Sequence, residues 1–125
     1  MVTAERDPRV PKPPPGLKAS GRALWTEVQV EYELEEHEAG LLVTMCRTRD
    51  RLDDLAAVVA REGVIEAGTG RVHPALVEHR QQAIAFARLS AALRLPAGDE
   101  GDPAANRRPQ RRGGVRGSYR FGVVS

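Results

Sequence analysis

From His37 to Glu62 the chain runs without a proline, and Leu41, Met45, Leu52, Leu55 and Val59 recur at alternating spacings of four and three once Thr48 is counted. That period places them on one face of a single helix, and Leu42, Cys46 and Ala56 widen the face enough to meet two neighbours. Glu35, Glu36 and Glu38 cluster at the start, where negative charge is favoured by the helix dipole, and Gly63 supplies a stop. A helix over 37–62 is roughly 40 Å long at 1.5 Å per residue. Few small folds need so long a strut for their own core, and the surplus is free to pack between subunits.

The flanking segments complete a mainly α fold: a three-helix core with a long central helix and a small β-hairpin between helices two and three. Ser20 is a candidate cap for a first helix over about 20–33, with Leu24, Trp25, Val28 and Tyr32 on one face. Trp25 is expected as a core anchor against the other two helices. Val64-Ile65 and Arg71-Val72 flank Gly68-Thr69-Gly70 as two short strands around a turn, giving a hairpin near 64–73. Pro74 suits the first turn of a third helix carrying Leu76, Ala83, Phe86, Ala87, Leu89 and Leu93, and Pro96 ends it.

Five prolines fall among the first 16 residues, and the stretch after Pro96 has no apolar period. The expected organisation is a flexible leader over 1–16, a helical oligomerisation core over 17–96, and a flexible Arg/Gly-rich tail over 97–125. A core of that size lies near the lower limit of what apolar burial sustains alone, and self-association is a natural remedy. Cys46 is the single cysteine, so no internal disulfide can form; it reads as a small buried hydrophobe in a reducing compartment. No apolar run approaches the roughly 18 residues of a membrane span, and the N-terminus lacks a hydrophobic signal stretch, so the expected location is the cytoplasm with no membrane partner.

Enzymatic chemistry finds no purchase. His37, Cys46, His73 and His79 lack the one-turn or Cys-x-x-Cys spacings of a metal site, and the glycines from Gly63 to Gly70 lack the Lys and Ser/Thr of a phosphate loop. No nucleophile motif is legible, so no catalytic residue, metal or cofactor is expected. Asp50, Asp53 and Asp54 have adjacent arginines as helical partners, Arg49 and Asp53 being four apart.

A net charge of +2 conceals an uneven distribution. Acids concentrate from Glu27 to Glu38, while Lys12, Lys18 and Arg22 lie at the front and Arg107, Arg108, Arg111, Arg112, Arg116 and Arg120 at the back. With Arg47 and Arg51 on the long helix, these are the candidate phosphate contacts. The tail, whose arginines alternate with glycines and end near Tyr119 and Phe121, suits nucleic acid, a partner protein, or solubilisation alone. Trp25, Leu41, Met45, Leu52, Leu55, Val59 and Phe86 are the candidate core or oligomerisation residues.

Pro15-Gly16-Leu17, Gly21-Arg22 with Leu24-Trp25, Gly63 through Pro74, and the closing Leu93-Arg94-Leu95-Pro96 occur in an order that resembles the small terminase subunit of tailed double-stranded-DNA bacteriophages. The resemblance covers about residues 13–96. It implies a helical, non-catalytic subunit in the bacterial host cytoplasm, assembling into a homo-oligomeric ring. Such a ring recognises viral DNA at the packaging start and recruits the large terminase subunit, which carries the ATPase and nuclease. Many members of that family place a helix-turn-helix module ahead of the oligomerisation helices, whereas only the Pro-rich leader precedes helix one here. Two other readings stand beside it: a small helical DNA-binding transcriptional regulator, disfavoured by the acids opening helix two, and a helical adaptor that binds no DNA.

Overall fold

The computed structural model describes residues 8–95 and 109–112. Three helices, α1 (Ala19–Glu31), α2 (Glu36–Glu62) and α3 (Pro74–Leu93), form the body, and a two-residue strand β1 (Tyr32–Glu33) follows α1 directly. The expected mainly α architecture with its long central helix is the one observed. The hairpin between α2 and α3 consists of a single antiparallel bridge, Ile65 to Val72, closed by hydrogen bonds from the Glu66 amide to the Arg71 carbonyl and from the His73 amide to the Val64 carbonyl, both 2.7 Å.

Each helix boundary has a local cause. A reciprocal capping box opens α2: the Glu35 side chain accepts from the Glu38 amide, and the Glu38 carboxylate accepts from the Glu35 amide at 2.8 Å. Gly63, at φ 90°, ends α2 in a conformation that costs other residues strain. Pro74 occupies the first turn of α3, and His73 Nδ1 accepts from the Ala75 amide at 3.0 Å. The end of α3 is set by Arg94 in the left-handed region, with the Leu95 amide bonding back to the Ser90 carbonyl at 3.3 Å. Helix three therefore stops before Pro96, which lies outside the described residues.

Leu17, Trp25, Val28, Tyr32, Leu42, Met45, Cys46 and Leu93 form one buried cluster, with Leu24, Leu41, Phe86, Leu89 and Leu95 packed on its margin. The cluster lies where all three helices overlap. At 13 residues α1 is about 20 Å long, half the length of the 27-residue α2. Its N-terminus meets α2 at Asp50, Asp53 and Asp54, so no α1 residue covers the last turns of α2. Leu52 is accordingly the last buried residue of α2; Leu55, beside Glu78 and Gln82 of α3, and Val59 are half-buried, and Ala56 is exposed.

Three expectations are corrected. Ser20 is not the cap of helix one: the helix starts at Ala19, Lys18 in the cap position makes no side-chain cap bond, and the Ser20 hydroxyl instead donates to Asp53. The leader is not wholly flexible. Val10 is 8% exposed, and the Trp25 indole N–H donates to the Pro11 carbonyl at 2.9 Å, because a buried indole needs an acceptor and the Pro-rich segment brings one. Nor is all of the region after residue 96 a free tail: Gln110–Arg111 forms a strand, β2, antiparallel to β1 with Tyr32 opposite Arg111 and Glu33 opposite Gln110. An edge strand offers unpaired backbone groups, and these residues take them up.

Candidate functional site

The long helix sorts its charges by turn. Asp50 is 7% exposed, not paired with an arginine as the helical spacing suggested. Its two carboxylate oxygens accept from the Lys18 and Gly21 amides, each at 2.7 Å. An anion from α2 thus caps the N-terminus of α1, satisfying donors that no residue of α1 serves. A Cβ on Gly21 would fall 2.8 Å from the Cys46 carbonyl oxygen and closer still to the Asp50 carboxylate, so only glycine allows this approach. Beside it the Lys18 ammonium pairs with Asp54 at 2.7 Å, and Asp53 holds both the Ser20 hydroxyl and Arg49. These bonds, from Ser20 first and Arg49 second, keep the Asp53 carboxyl below its ordinary range. The sequence signal was an acid one turn after Cys46, on the apolar face of α2, where exposure is least expected.

The candidate phosphate contacts divide sharply. Lys18 is engaged with Asp54, and the Arg22 guanidinium donates to the Leu17 carbonyl. Arg111 pairs with Glu31 and lies 5.6 Å from the centre of the Tyr32 ring. Arg112 is turned inward onto backbone carbonyls at the end of α1. Arg107, Arg108, Arg116 and Arg120 lie outside the described residues. Lys12, Arg47 and Arg51 remain exposed.

Arg51 of α2 is joined from α3 by Arg88, which sequence reasoning passed over, and Arg47 lies one turn before Arg51 on α2. A shallow open groove of about 590 Å³ runs between the helices, lined by Thr44, Thr48 and Arg51 on one side and Gln82, Arg88 and Leu89 on the other. Arg51 and Arg88 bring guanidinium groups to it, while the Thr44 and Thr48 hydroxyls donate to the Gly40 and Thr44 carbonyls and the Gln82 amide donates to Glu78. Such a surface can neutralise phosphates through its guanidinium groups. Asp54 and Glu78 approach Arg51 at its far end and limit the basic strip there.

Cys46 is fully buried, and burial, with the Asp50 charge second, pushes its thiol up to about 12, leaving it protonated and inert. His73 spends Nδ1 on the α3 cap and Nε2 on Glu62 at 2.8 Å. The Glu62 carboxyl is held below its ordinary value by that bond and then by Arg61. Among the described residues no group of three His, Cys, Asp or Glu side chains is placed to hold a metal ion, and no helix is long and apolar enough to cross a membrane.

A second surface feature is apolar. Val64, Ile65 and Val72 at the base of the hairpin are about half exposed, and Val77 and Ile84, seven apart on α3, are 40% and 48% exposed. The Ile65 and Val72 side chains, opposite each other across the bridge, share one face. Comparison of the chain with protein-family models, curated proteins and solved structures returns no match.

Proposed function

We propose that this chain is the small terminase subunit of a tailed double-stranded-DNA bacteriophage, a non-catalytic component that assembles into a homo-oligomeric ring, engages viral DNA and recruits the large terminase subunit in the host cytoplasm. The observation that carries the reading is the mismatch of helix lengths. Because α2 and α3 extend past α1, they leave Val64, Ile65, Val72 and Val77 uncovered on the arm that projects beyond it. Exposed apolar residues clustered this way favour an interface over a monomer surface.

The motif order supports the more specific identity, since each motif has a structural task. Leu17 and Trp25 are core residues, Gly63 ends α2, His73-Pro74 starts α3, and Arg94-Leu95 folds back on Ser90. DNA contact is assigned to Arg51 and Arg88 along the α2–α3 groove and to the exposed Arg47 one turn away, with Lys12 and the tail arginines adding charge. Recognition of this kind works through phosphate neutralisation and DNA shape, without a helix inserted in the major groove.

Native mass spectrometry of the full chain, with and without a duplex from the packaging start, tests the proposal. A closed multimer that binds duplex and stimulates the ATPase of a co-expressed large subunit is the expected result. A dimer with tight sequence-specific binding would favour a transcriptional regulator, and a species that binds no DNA would favour an adaptor; either refutes the proposal.

A further inference from the structure

The end of α1 gathers an unusual number of acceptors around one cation. Arg112 Nε donates to the Gln29 carbonyl at 2.7 Å, one terminal nitrogen donates to the Tyr32 carbonyl at 3.0 Å and to the Gln29 side-chain oxygen at 3.4 Å, and the other reaches the Arg9 carbonyl at 3.3 Å. Gln29 is 2% exposed, so its amide belongs to the interior and presents its oxygen to the guanidinium. The last carbonyls of a helix carry its negative dipole end and lack intrahelical donors. A planar guanidinium with five donors matches such a set, and an ammonium does not.

The neighbouring position is more open, the Arg111 side chain being 65% exposed. Arg111 pairs with the Glu31 carboxylate and lies over the Tyr32 ring, while the backbone of 110–112 adds to β1, the Arg112 amide donating to the Glu31 carbonyl at 2.7 Å. Main-chain pairing supplies register and two side-chain subsites supply selectivity, the logic of strand addition.

We propose that the α1–β1 edge is a binding site for an extended Arg-Arg dipeptide, occupied by the chain's own Arg111–Arg112 as a latch that keeps the Arg112 guanidinium from phosphates and ties Arg111 to Glu31. Opening the latch releases Arg112 from its carbonyls and Arg111 from Glu31 and frees an edge strand; closing it reverses all three. Duplex DNA and the α1–β1 edge therefore compete for the same side chains. The competition rests on the DNA-binding reading above, whereas the dipeptide site stands independently of it.

Fluorescence anisotropy with a labelled PQRRGG peptide, titrated with full-length protein, tests the site. The Arg111→Ala/Arg112→Ala variant, its own latch removed, should bind the peptide at least about tenfold more tightly than the wild type, the scale of one lost charge-assisted hydrogen bond. A peptide with lysine in the second arginine position should lose that binding. Equal affinities for variant and wild type, no binding to either, or equal binding of the lysine peptide would overturn the site. Because the variant could unfold, amide exchange in the wild type gives a second readout: the Arg112 amide should be protected, and Arg112→Lys should lose that protection while α2 keeps its own. Adding duplex to the wild type should then expose the Arg112 amide. Bound duplex with unchanged protection refutes the competition alone, and failure of duplex to bind refutes the DNA reading while the peptide result stands.

Discussion

Replacing Asp50 with alanine should cost more than any other single acidic substitution among the described residues. Its carboxylate is 7% exposed and accepts from two backbone amides at 2.7 Å. A hydrogen bond to a charged group contributes about 1.5–3 kcal/mol, and a buried donor left without a partner costs about 1–3 kcal/mol. The Gly21 amide is buried and takes about 2 kcal/mol; the Lys18 amide is only partly buried, so water replaces some of its bond and about 1 kcal/mol remains. The sum, about 3 kcal/mol, corresponds to a fall in Tm of roughly 12–24 °C for a domain of about 60–100 residues. Urea and thermal unfolding followed by far-UV circular dichroism measure it directly. The control is Asp53→Ala: Asp53 has a 47% exposed side chain and pairs with Arg49, so it should cost about 1 kcal/mol or less. A loss below about 1 kcal/mol for Asp50→Ala, or equal losses at the two positions, would refute the assignment of Asp50 as the buried cap of α1.

Gly21→Ala should destabilise by about 1–3 kcal/mol in urea melts, because overpacking against the Cys46 carbonyl outweighs the roughly 1 kcal/mol that alanine gains over glycine inside a helix; a more stable variant would place α1 farther from α2. Glu62 and Asp53 both have carboxyls held below their ordinary values, so their stabilisation is complete above the unfolded value and is lost as pH falls through the folded one. Lowering pH from about 5 to about 2 should therefore reduce the Tm of the wild type more than that of Glu62→Gln/Asp53→Asn, and parallel curves would remove these groups from the acid transition. For DNA, the Arg47→Ala/Arg51→Ala/Arg88→Ala variant should flatten the log–log salt dependence by about 0.9 per lost phosphate contact, measured by filter binding or anisotropy. An unchanged slope would move the contact away from the α2–α3 groove. Cys46 should resist maleimide labelling until the protein unfolds, and rapid labelling of the native chain would contradict its burial.

What the sequence determined by itself is local. The four-and-three recurrence from Leu41 to Val59, the acids opening α2, Gly63 behind it and Pro74 at the start of α3 place the long helices and the turn between them, because helix period and backbone restriction act within a few residues. Even so, Ala56 and Leu55 share the stripe with Leu52 yet end exposed and half-buried, since burial depends on how far α1 reaches and not on period. Tertiary structure alone decided the fate of the charges. Arg49 finds Asp53 by spacing, but Asp50 serves α1 from another helix, Trp25 finds its acceptor in the leader, and Arg112 crosses from a distant part of the chain to Gln29 and Tyr32. A polar group is satisfied by whatever partner the packing brings within about 3 Å, and that distance is not written in the spacing of neighbours along the chain.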